Sequence, residues 1–263
     1  MRIATWNVNS LKVRLGHVIE WARAADIDAM VLQETKLVDE QFPVGELERA
    51  GFSSICLGQK TYNGVALIAR KDTCELLGEP IFNIPGYEDE QKRLIGSRIR
   101  CGEREFTFLG AYFPNGQAVG SDKYLYKLDW ISALTLWLSE QIVSGGPIVL
   151  GGDFNIAPRS EDVWDERALD GGILISPPER EAYRSLLRIG LTDTWELGLH
   201  APGTYSWWDY RGNGFQNNQG LRIDHILATA DIAGDVRDVY IDEKPRGWDK
   251  PSDHAPVVAV LGQ

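Results

Sequence analysis

Short apolar runs, separated by turns and a few amphipathic stretches, make up most of this chain. Runs of about four to eight apolar residues bounded by turn signals are typical of buried strands. On this basis strands are predicted at 2–8, 29–33, 53–58, 64–70, 94–100, 105–112, 147–153, 220–228, 236–241 and 251–261. The connections between 53 and 112 are too short for the crossovers that a parallel sheet requires. The pattern therefore predicts a mixed sheet arrangement with helices outside, and two sheets packed face to face would place several strand ends at one rim.

Helical periodicity appears in the longer segments between these runs. Ser10 is expected to cap a helix whose apolar stripe consists of Leu11, Leu15, Val18, Ile19 and Ala22. Ser121 or Asp122 is expected to begin a long helix that continues to about Ile142. Pro177 begins a further helix, which ends at Gly190.

The length and composition allow a sizeable hydrophobic core. The chain has 263 residues, of which 43% are hydrophobic and 25% charged, enough for one large α/β domain or two small ones. No apolar run approaches the roughly 20 residues that a membrane span needs, and MRIATWNVNS lacks a signal-peptide core. Cys56, Cys74 and Cys101 are widely spaced and odd in number. They predict neither a disulfide framework nor a zinc site, and a reducing cytoplasm is the default.

The charge balance is acidic, with 27 basic and 38 acidic residues and a net charge of −11. Lys and Arg supply most of the indiscriminate binding of nucleic acids through counterion release. The balance therefore argues against such binding, but it allows a local basic face and suits a site for a divalent metal.

Residues 147–158, PIVLGGDFNIAP, combine a buried strand with a polar tip. After the apolar run, Gly151-Gly152 lets the backbone turn tightly or approach a ligand closely. Asp153 and Asn155 follow, and they point to the same face if the strand continues through them. A carboxylate and an amide in this setting are costly to bury unless they bind something. A loop in which Asp153 caps a turn would explain an isolated Asp-x-Asn, but similar polar tips recur elsewhere.

Polar residues also stand at the ends of other predicted strands. The full set is Asn7, Glu34, Tyr112, Asp153, Asn155, Asp224, Asp253 and His254. Each member has an ordinary alternative: a turn, a helix cap, a core tyrosine or a capped turn. For Asp224 the leading alternative is a structural ion pair with Arg222, two residues away on the same face. The repetition of the pattern favours a common site.

These residue types suit one kind of chemistry. Carboxylate and amide oxygens such as those of Glu34, Asp253 and Asn7 suit magnesium, which uses few protein ligands and retains water. The sequence has no Cys or His cluster that would indicate zinc. A histidine beside an aspartate suggests an imidazole that stabilises charge or moves a proton. Phosphodiester hydrolysis needs an activated water, a metal and donors to the phosphoryl oxygens.

Motifs along nearly the whole chain resemble those of the exonuclease III family of apurinic/apyrimidinic endonucleases, within the DNase I-like metallophosphoesterase superfamily. They are TWNVNSLKVRL (5–15), LQETKL (32–37), GAYFPNG (110–116), GGDFNIAP (151–158), YSWWDYRGNGF (205–215), NQGLRIDHILA (218–228) and KPSDHAPV (250–257). WWDYR with GLRID is the narrower signature, and it separates the chain from the inositol-phosphatase and sphingomyelinase branches. The resemblance implies an α/β fold, a four-layer α/β/β/α sandwich of two packed mixed sheets with outer helices. It also implies a single catalytic domain over residues 1–263.

The resemblance implies a metal site and a set of catalytic groups. Glu34 is similar to the principal ligand of Mg²⁺, for which Mn²⁺ could substitute, with Asn7 beside it and Asp253 as a second or water-mediated ligand. Asp153 resembles the carboxylate that orients or deprotonates the attacking water. Asn155 resembles the neighbour that holds the scissile phosphate, and Tyr112 a tyrosine placed on that phosphate. His254 resembles the phosphate-contacting histidine, oriented and charged by Asp224.

The resemblance also implies contacts to DNA. Asn115 matches a contact to the DNA backbone, and Trp207, Leu221 and Ile223 fall where the family lines a pocket for the base-free sugar. Because the total charge is acidic, basic side chains are expected on one rim that faces DNA. These are Lys36, Lys123, Lys127, Arg211 and Lys250, although any single one could be merely solvated. The segment 163–175, where the family varies most, carries Gly171-Gly172 in place of large side chains.

The implied function is a magnesium-dependent DNA-repair phosphodiesterase, a cytoplasmic monomer associated with the nucleoid when it acts. It would cleave duplex DNA 5′ to abasic sites and trim blocked or recessed 3′ ends, leaving a 3′-hydroxyl. Two alternatives stay open. A phosphatase for inositol or lipid phosphates would need a basic cluster in place of WWDYR. A catalytically silent DNA-end-binding module would need a broken set of polar residues, yet every acidic and amide member is present.

Overall fold

The computed structural model describes residues 1–262. Its strands, in chain order, are β1 (Arg2–Asn7), β2 (Ala29–Gln33), β3 (Phe52–Leu57), β4 (Val65–Arg70), β5 (Cys74–Phe82), β6 (Leu94–Cys101), β7 (Arg104–Tyr112), β8 (Ile148–Asp153), β9 (Leu191–Asp193), β10 (Trp207–Trp208), β11 (Gly220–Leu221), β12 (Asp224–Thr229), β13 (Val236–Ile241) and β14 (Val257–Leu261). Its α-helices are α1 (Leu11–Ala24), α2 (Val44–Arg49), α3 (Asp122–Ser144), α4 (Pro177–Arg188) and α5 (Ala230–Ala233). The helices predicted from the sequence are confirmed as α1, α3 and α4.

Local hydrogen bonds fix where these helices begin. Ser121 accepts a hydrogen bond from the backbone N–H of Tyr124 (3.2 Å) at the start of α3, and Ser176 and Glu179 form a capping box at α4. Ser10 occupies the N-cap position of α1, but within residues 1–262 its side chain makes no capping hydrogen bond, so that predicted role is wrong. Instead its backbone N–H donates to the carbonyl of Glu34 (2.8 Å), which ties the start of α1 to the end of β2.

Two mixed six-stranded sheets form the centre of the molecule. The first has the strand order β13-β14-β1-β2-β4-β3 and the second β5-β6-β7-β8-β12-β9. The pairs β1–β2 and β7–β8 are parallel, whereas the other neighbours are antiparallel. The prediction of mixed sheets is therefore confirmed.

The hydrophobic residues divide into an inner core between the sheets and an outer core on each side. The inner core includes Val31, Phe108, Val149 and Ile226. One outer core packs α1 and α2 on the first sheet, and the other packs α3 and α4 on the second. These layers confirm the predicted α/β/β/α sandwich. Among the described residues, none of the helices is long and apolar enough to cross a membrane.

Glycines in the second sheet allow the two sheets to approach closely. A Cβ atom added at Gly110 in β7 would lie 2.6 Å from the Val31 Cβ of β2. One added at Gly151 in β8 would lie 3.1 Å from a Val31 methyl carbon and 3.3 Å from the Cβ of Thr5. Any side chain at Gly110 would therefore collide with the first sheet.

Strand direction brings the polar ends to one rim. The carboxyl ends of both parallel pairs lie at this rim, and β12 and β14 begin there because they run antiparallel to β8 and β1. Asp224 is thus directly opposite Asp153 in the register of β12 and β8. The first sheet brings Asn7, Glu34 and His254 to the rim, and the second brings Tyr112, Asp153 and Asp224.

Two predicted strands are shorter or more broken than the sequence suggested. The segment 220–228 is interrupted at residues 222–223, so that β11 pairs with β10 in a separate small sheet and β12 begins at Asp224. Only Val257–Leu261 of the predicted strand 251–261 is extended in the sheet. Asp253 and His254 therefore lie in the connection before β14, where side chains need not alternate between faces.

A disulfide joins Cys74, the first residue of β5, to Cys101, the last residue of β6, and the sequence prediction of no disulfide is wrong. These cysteines are 27 residues apart but directly opposite in register, with a Cα–Cα distance of 4.2 Å. The spacing of the cysteines along the chain does not predict this disulfide, because the pairing depends on the hairpin of β5 and β6. Strand β5 was not predicted from the sequence.

Candidate active site

Asn7 joins the two carboxylates at the centre of the rim. Its Nδ2 donates hydrogen bonds to Glu34 Oε1 (2.9 Å) and to Asp153 Oδ2 (2.9 Å), and its Oδ1 accepts one from the backbone N–H of Asn9 (2.9 Å). Asn7 and Asp153 are buried, whereas the Glu34 side chain stays 19% exposed. One amide thus holds carboxylates from the two sheets at a fixed separation, with Glu34 open to a ligand.

The turn after β2 directs Glu34 towards the rim. Glu34 has a φ of 52° and Lys36 a φ of 55°, in the left-handed region. Such backbone is uncommon for residues other than glycine, and it concentrates at functional sites. Lys36 Nζ lies 3.0 Å from Glu34 Oε2 and so places a positive charge beside the carboxylate.

His254 and Asp224 form a buried ion pair. His254 Nδ1 lies 2.8 Å from Asp224 Oδ2, which also accepts a hydrogen bond from Ser206 Oγ (2.7 Å). His254 Nε2 is 3.7 Å from Asp153 Oδ2. Burial alone lowers the pKa of His254, but the charges of Asp224 and Asp153 outweigh it and raise that pKa to about 10. The imidazole is therefore positively charged at neutral pH and can donate through Nε2.

The alternative that paired Asp224 with Arg222 is wrong. Within the described residues Arg222 binds two other carboxylates, with Nε 2.6 Å from Asp162 Oδ1 and Nη1 3.1 Å from Asp193 Oδ2. The break between β11 and β12 separates Arg222 from the face that Asp224 occupies, so the strand alternation on which the alternative rested does not apply.

Asp153 combines burial with a set of opposing charges. Burial is the largest influence on its pKa and Asp224 adds to it, while His254, Asn7 and Asn155 oppose it, and the pKa is raised to about 7. A carboxyl group that titrates near neutral pH is suited to act as a general base. The backbone N–H of Asn155 donates to Asp153 Oδ1 (2.9 Å) and fixes its orientation.

Two amides and a tyrosine surround this carboxylate. Asn155 Oδ1 accepts a hydrogen bond from Asn115 Nδ2 (3.1 Å), and Asn155 Nδ2 donates to the carbonyl of Phe113 (3.0 Å). Burial, with Glu34 and Asp153 nearby, raises the pKa of Tyr112 well above its usual value. The Tyr112 hydroxyl consequently stays protonated and can donate a hydrogen bond to an anionic ligand.

The carboxylates at the rim fit a hard divalent cation. Potential ligand atoms of Glu34, Asp153 and His254 all lie within 4.8 Å of one another. A protonated His254 cannot coordinate a cation, so the carboxylates of Glu34 and Asp153 remain. One or two carboxylates completed by water are a donor set that suits magnesium.

The other two predicted ligands are engaged in hydrogen bonds. Asn7 turns its amide nitrogen, not its oxygen, towards the carboxylates. Both Asp253 oxygens accept hydrogen bonds at 3.0 Å, one from Asn9 Nδ2 and one from Trp207 Nε1. Metal ligation by Asn7 and Asp253 therefore stays a prediction.

The predicted pocket residues Trp207, Leu221 and Ile223 share one small hydrophobic cluster. Leu221 and Ile223 are each 2% exposed, and Trp207 is half-buried. The cluster includes residues of the segment 163–175, and Val163 forms a β-bridge with Leu221. The structure thus brings the three side chains together, with Trp207 the one that solvent reaches.

The predicted basic rim is only partly formed. Lys127 is fully buried and pairs with Glu179, so its placement on a surface that faces DNA is wrong. Arg211 is 91% exposed and pairs with Asp209 at 2.8 Å. Lys123 lines a cleft together with Tyr112 and Asn115.

That cleft contains residues that sequence reasoning missed. Its volume is about 700 Å³, and its lining also includes Tyr62, Gln91 and Arg93. The Arg93 guanidinium lies 5.0 Å from the centre of the Tyr112 ring and donates to the Tyr112 carbonyl (3.1 Å). The sequence could have indicated Arg93, because it lies directly before the predicted strand 94–100 and is thus one more polar residue at a strand end.

The pairing of His254 with Asp224 predicts a strongly non-additive double-mutant cycle. His254→Ala and Asp224→Ala should each lower kcat by about 10²-fold, and the double variant should lose much less than the product. Without metal, wild-type stability should fall as pH rises from 6.5 to 10, because only the folded state keeps the imidazole protonated in that window. Denaturant unfolding in the presence of a chelator measures this fall, which should be smaller in His254→Ala.

His225 provides the matched control for that cycle. It is buried and neutral, with Nδ1 2.8 Å from Arg222 Nη1, and burial lowers its pKa to about 4. His225→Ala should change stability but keep the wild-type decline between pH 6.5 and 10. Multiplicative kcat losses for His254 and Asp224 would show that the two residues do not act together.

Two packed mixed sheets with acid, amide and histidine groups at one rim define the class of DNase I-like proteins. The profile of the endonuclease/exonuclease/phosphatase family matches residues 4–254, and the chain belongs to this family. Exodeoxyribonuclease III from Haemophilus influenzae is 34% identical over 268 residues, which cover 98% of this chain and 99% of the relative.

Solved structures agree with this assignment. A 3′ phosphatase from Neisseria bound to product DNA hairpin has a TM-score of 0.93 and 38% identity, with 100% of both chains covered. An AP endonuclease from Archaeoglobus fulgidus has a TM-score of 0.92 and 33% identity, with 99% of both chains covered.

Proposed function

We propose that this chain is a DNA-repair nuclease, a monomeric single-domain phosphodiesterase that uses Mg²⁺, or Mn²⁺ in its place. It would cleave duplex DNA 5′ to abasic sites and remove nucleotides or blocking groups from 3′ ends, leaving a 3′-hydroxyl. One observation carries the proposal. Asn7 bridges Glu34 and Asp153 at 2.9 Å each, and the charged His254 lies 3.7 Å from Asp153.

The geometry supports a separate role in hydrolysis for each of several side chains. Asp153 can accept the proton of the attacking water, because its pKa is raised to about 7 and its position is fixed by Asn7. The water oxygen then bonds to phosphorus as the bond from phosphorus to the 3′-oxygen breaks, and the leaving 3′-oxygen takes a proton from solvent to become the 3′-hydroxyl. His254 Nε2 and the Tyr112 hydroxyl can donate hydrogen bonds to the phosphoryl oxygens as negative charge increases on them. Glu34 would hold Mg²⁺, which would supply Lewis-acid stabilisation of the developing negative charge.

The substrate class is tested with purified protein and Mg²⁺ on an abasic duplex, a recessed 3′ end and inositol phosphates. Hydrolysis of the DNA substrates alone supports the proposal. Hydrolysis of inositol phosphates alone would replace it with a phosphatase function, and DNA binding without any hydrolysis would indicate a binding module. A chelator should abolish turnover on every DNA substrate.

Trp207 is predicted to contribute to the choice of abasic sites. A sugar without its base is extruded cheaply because no stacking or pairing is lost, and Trp207 is the accessible member of the apolar cluster beside the site. Trp207→Ala should lower abasic-site cleavage about 10-fold more than 3′-end trimming. This difference corresponds to a loss of about 1.4 kcal/mol of binding to the base-free sugar. Rates on the two substrates, measured side by side, provide the comparison.

Trp207 also donates to Asp253 Oδ2 (3.0 Å), so the change could act through Asp253. Asp253→Asn is the matched control, because it alters that hydrogen bond but keeps the indole ring. An equal fall in both activities for Trp207→Ala would assign the residue to general DNA binding or folding.

A further inference from the structure

A buried lysine lies directly behind the candidate site. Lys127 in α3 and Glu179 in α4 are both 0% exposed, and Lys127 Nζ lies 2.5 Å from Glu179 Oε1. Nζ also donates to the carbonyl of Asn155 (2.7 Å) and to that of Asn115 (3.2 Å). An ammonium group has three hydrogens to donate, and these three acceptors match that number.

Glu179 is held from the other side by the start of α4. Its Oε2 accepts hydrogen bonds from the backbone N–H of Ser176 (3.1 Å) and from Ser176 Oγ (2.6 Å). Ser176 Oγ in turn lies 2.6 Å from the hydroxyl of Tyr124 in the first turn of α3. The first turns of two outer helices are thereby connected to the loops that follow β7 and β8.

Stability alone does not account for this arrangement. Burial lowers the pKa of Lys127, a sign that the charged form is costly to bury. Buried ion pairs can often be replaced by apolar residues without loss of stability. The two carbonyls that Lys127 binds belong to Asn115 and Asn155, whose side chains are hydrogen-bonded to each other (3.1 Å) at the rim. Asn155 has a φ of 49°, backbone that needs support from its surroundings.

We propose that Lys127 is a positioning residue, which fixes the backbone of Asn115 and Asn155 and thereby the amides that face the scissile phosphate. The proposal rests on the proposed nuclease function for its kinetic test. Loss of the ammonium group leaves both carbonyls without their donor, so the loops shift. A displacement of about 1 Å at a catalytic group can cost about 10²-fold in rate.

A kinetic cycle separates positioning from general stability. Lys127→Met should lower kcat by about 10- to 100-fold with little change in KM for DNA. The same change in an Asn155→Ala background should lower kcat much less, because one of the two amides that Lys127 positions is already gone. An equal fold loss in both backgrounds would overturn the proposal. Lys71→Met, at an exposed lysine that contacts Glu48, is the control for loss of a lysine charge.

Hydrogen–deuterium exchange tests the same proposal without activity. In Lys127→Met, exchange should increase at residues 113–117 and 154–157 and stay unchanged at 65–70. Unchanged exchange in both loops would overturn the positioning role even if the protein cleaves DNA. If exchange increases in Lys127→Met although the wild-type protein cleaves no DNA substrate, the positioning role stands and the proposed function is refuted.

Lys127→Met leaves the Glu179 carboxylate buried without its partner, a change that can prevent folding. The double variant Lys127→Met/Glu179→Gln removes both charges. It replaces Lys127→Met in the kinetic cycle and in the exchange measurement if the single variant does not fold. If this variant regains wild-type kcat together with wild-type thermal stability, the pair is structural and the positioning role is refuted.

Discussion

Asp153→Asn should reduce kcat by at least about 10³-fold, within the range for removal of a general base. The side chain keeps its size, but an amide cannot accept the proton of the attacking water. Stability should change little, because a costly buried charge is removed together with one hydrogen-bond acceptor. For a protein of this size about 1 kcal/mol corresponds to a shift of about 2–4 °C in Tm. Single-turnover cleavage of an abasic duplex and a thermal melt measure the two effects.

Asp193→Asn is the matched control for this prediction. Asp193 is a buried carboxylate outside the rim, where it accepts from the Tyr183 hydroxyl (2.8 Å) and pairs with Arg222. Its removal should lower Tm, since Arg222 loses a partner, and should leave kcat close to wild type. Retention of more than a tenth of wild-type kcat by Asp153→Asn would exclude Asp153 as the base.

Glu34→Gln should weaken magnesium binding by at least about 10-fold, because an amide offers a hard cation much less negative charge than a carboxylate. Calorimetric titration of the protein alone with Mg²⁺ measures the affinity without DNA. Cleavage should recover in part as the magnesium concentration rises. An unchanged magnesium affinity would remove Glu34 from the ligands.

Asp253→Asn tests which of the two carboxylates predicted to bind metal, Glu34 or Asp253, contributes more to magnesium affinity. Both Asp253 oxygens already accept hydrogen bonds at 3.0 Å, whereas Glu34 is linked to Asn7 and Lys36 and is open to solvent. Magnesium affinity should therefore fall further for Glu34→Gln than for Asp253→Asn. The reverse order would make Asp253 the principal ligand.

The architecture was predictable because the apolar strands and amphipathic helices are distinct along the chain. Short hairpin connections excluded a parallel sheet, and the polar strand ends Asn7, Glu34 and Asp153 indicated a shared rim. The strand β5 was missed because its sequence, CELLGEPIF, contains a proline and a glycine and lies at a sheet edge with a register shift. Edge strands tolerate proline and exposed polar residues, so their pattern is weak.

The details of the site depend on tertiary contacts that local patterns cannot show. An ion pair between Arg222 and Asp224 was the leading alternative because strand alternation put them on one face, but the strand breaks between β11 and β12. Lys127 was expected on a rim that faces DNA because an acidic chain that binds DNA needs its basic side chains gathered there. Its burial follows from the position of Glu179 in another helix, 52 residues away in sequence. The orientation of the Asn7 amide likewise depends on the partners that the fold supplies.

The close approach of the sheets at Gly110 and Gly151 determines the width of the site. Asn7, Glu34 and His254 stand on one side of that opening, and Tyr112, Asp153 and Asp224 stand on the other. A single methyl group at Gly110 would meet Val31 at 2.6 Å and force the two sheets apart. The carboxylates that Asn7 spans would separate with them. The width of the opening that would bind a phosphate thus depends on two glycines in the hydrophobic interior, neither of which would contact the substrate.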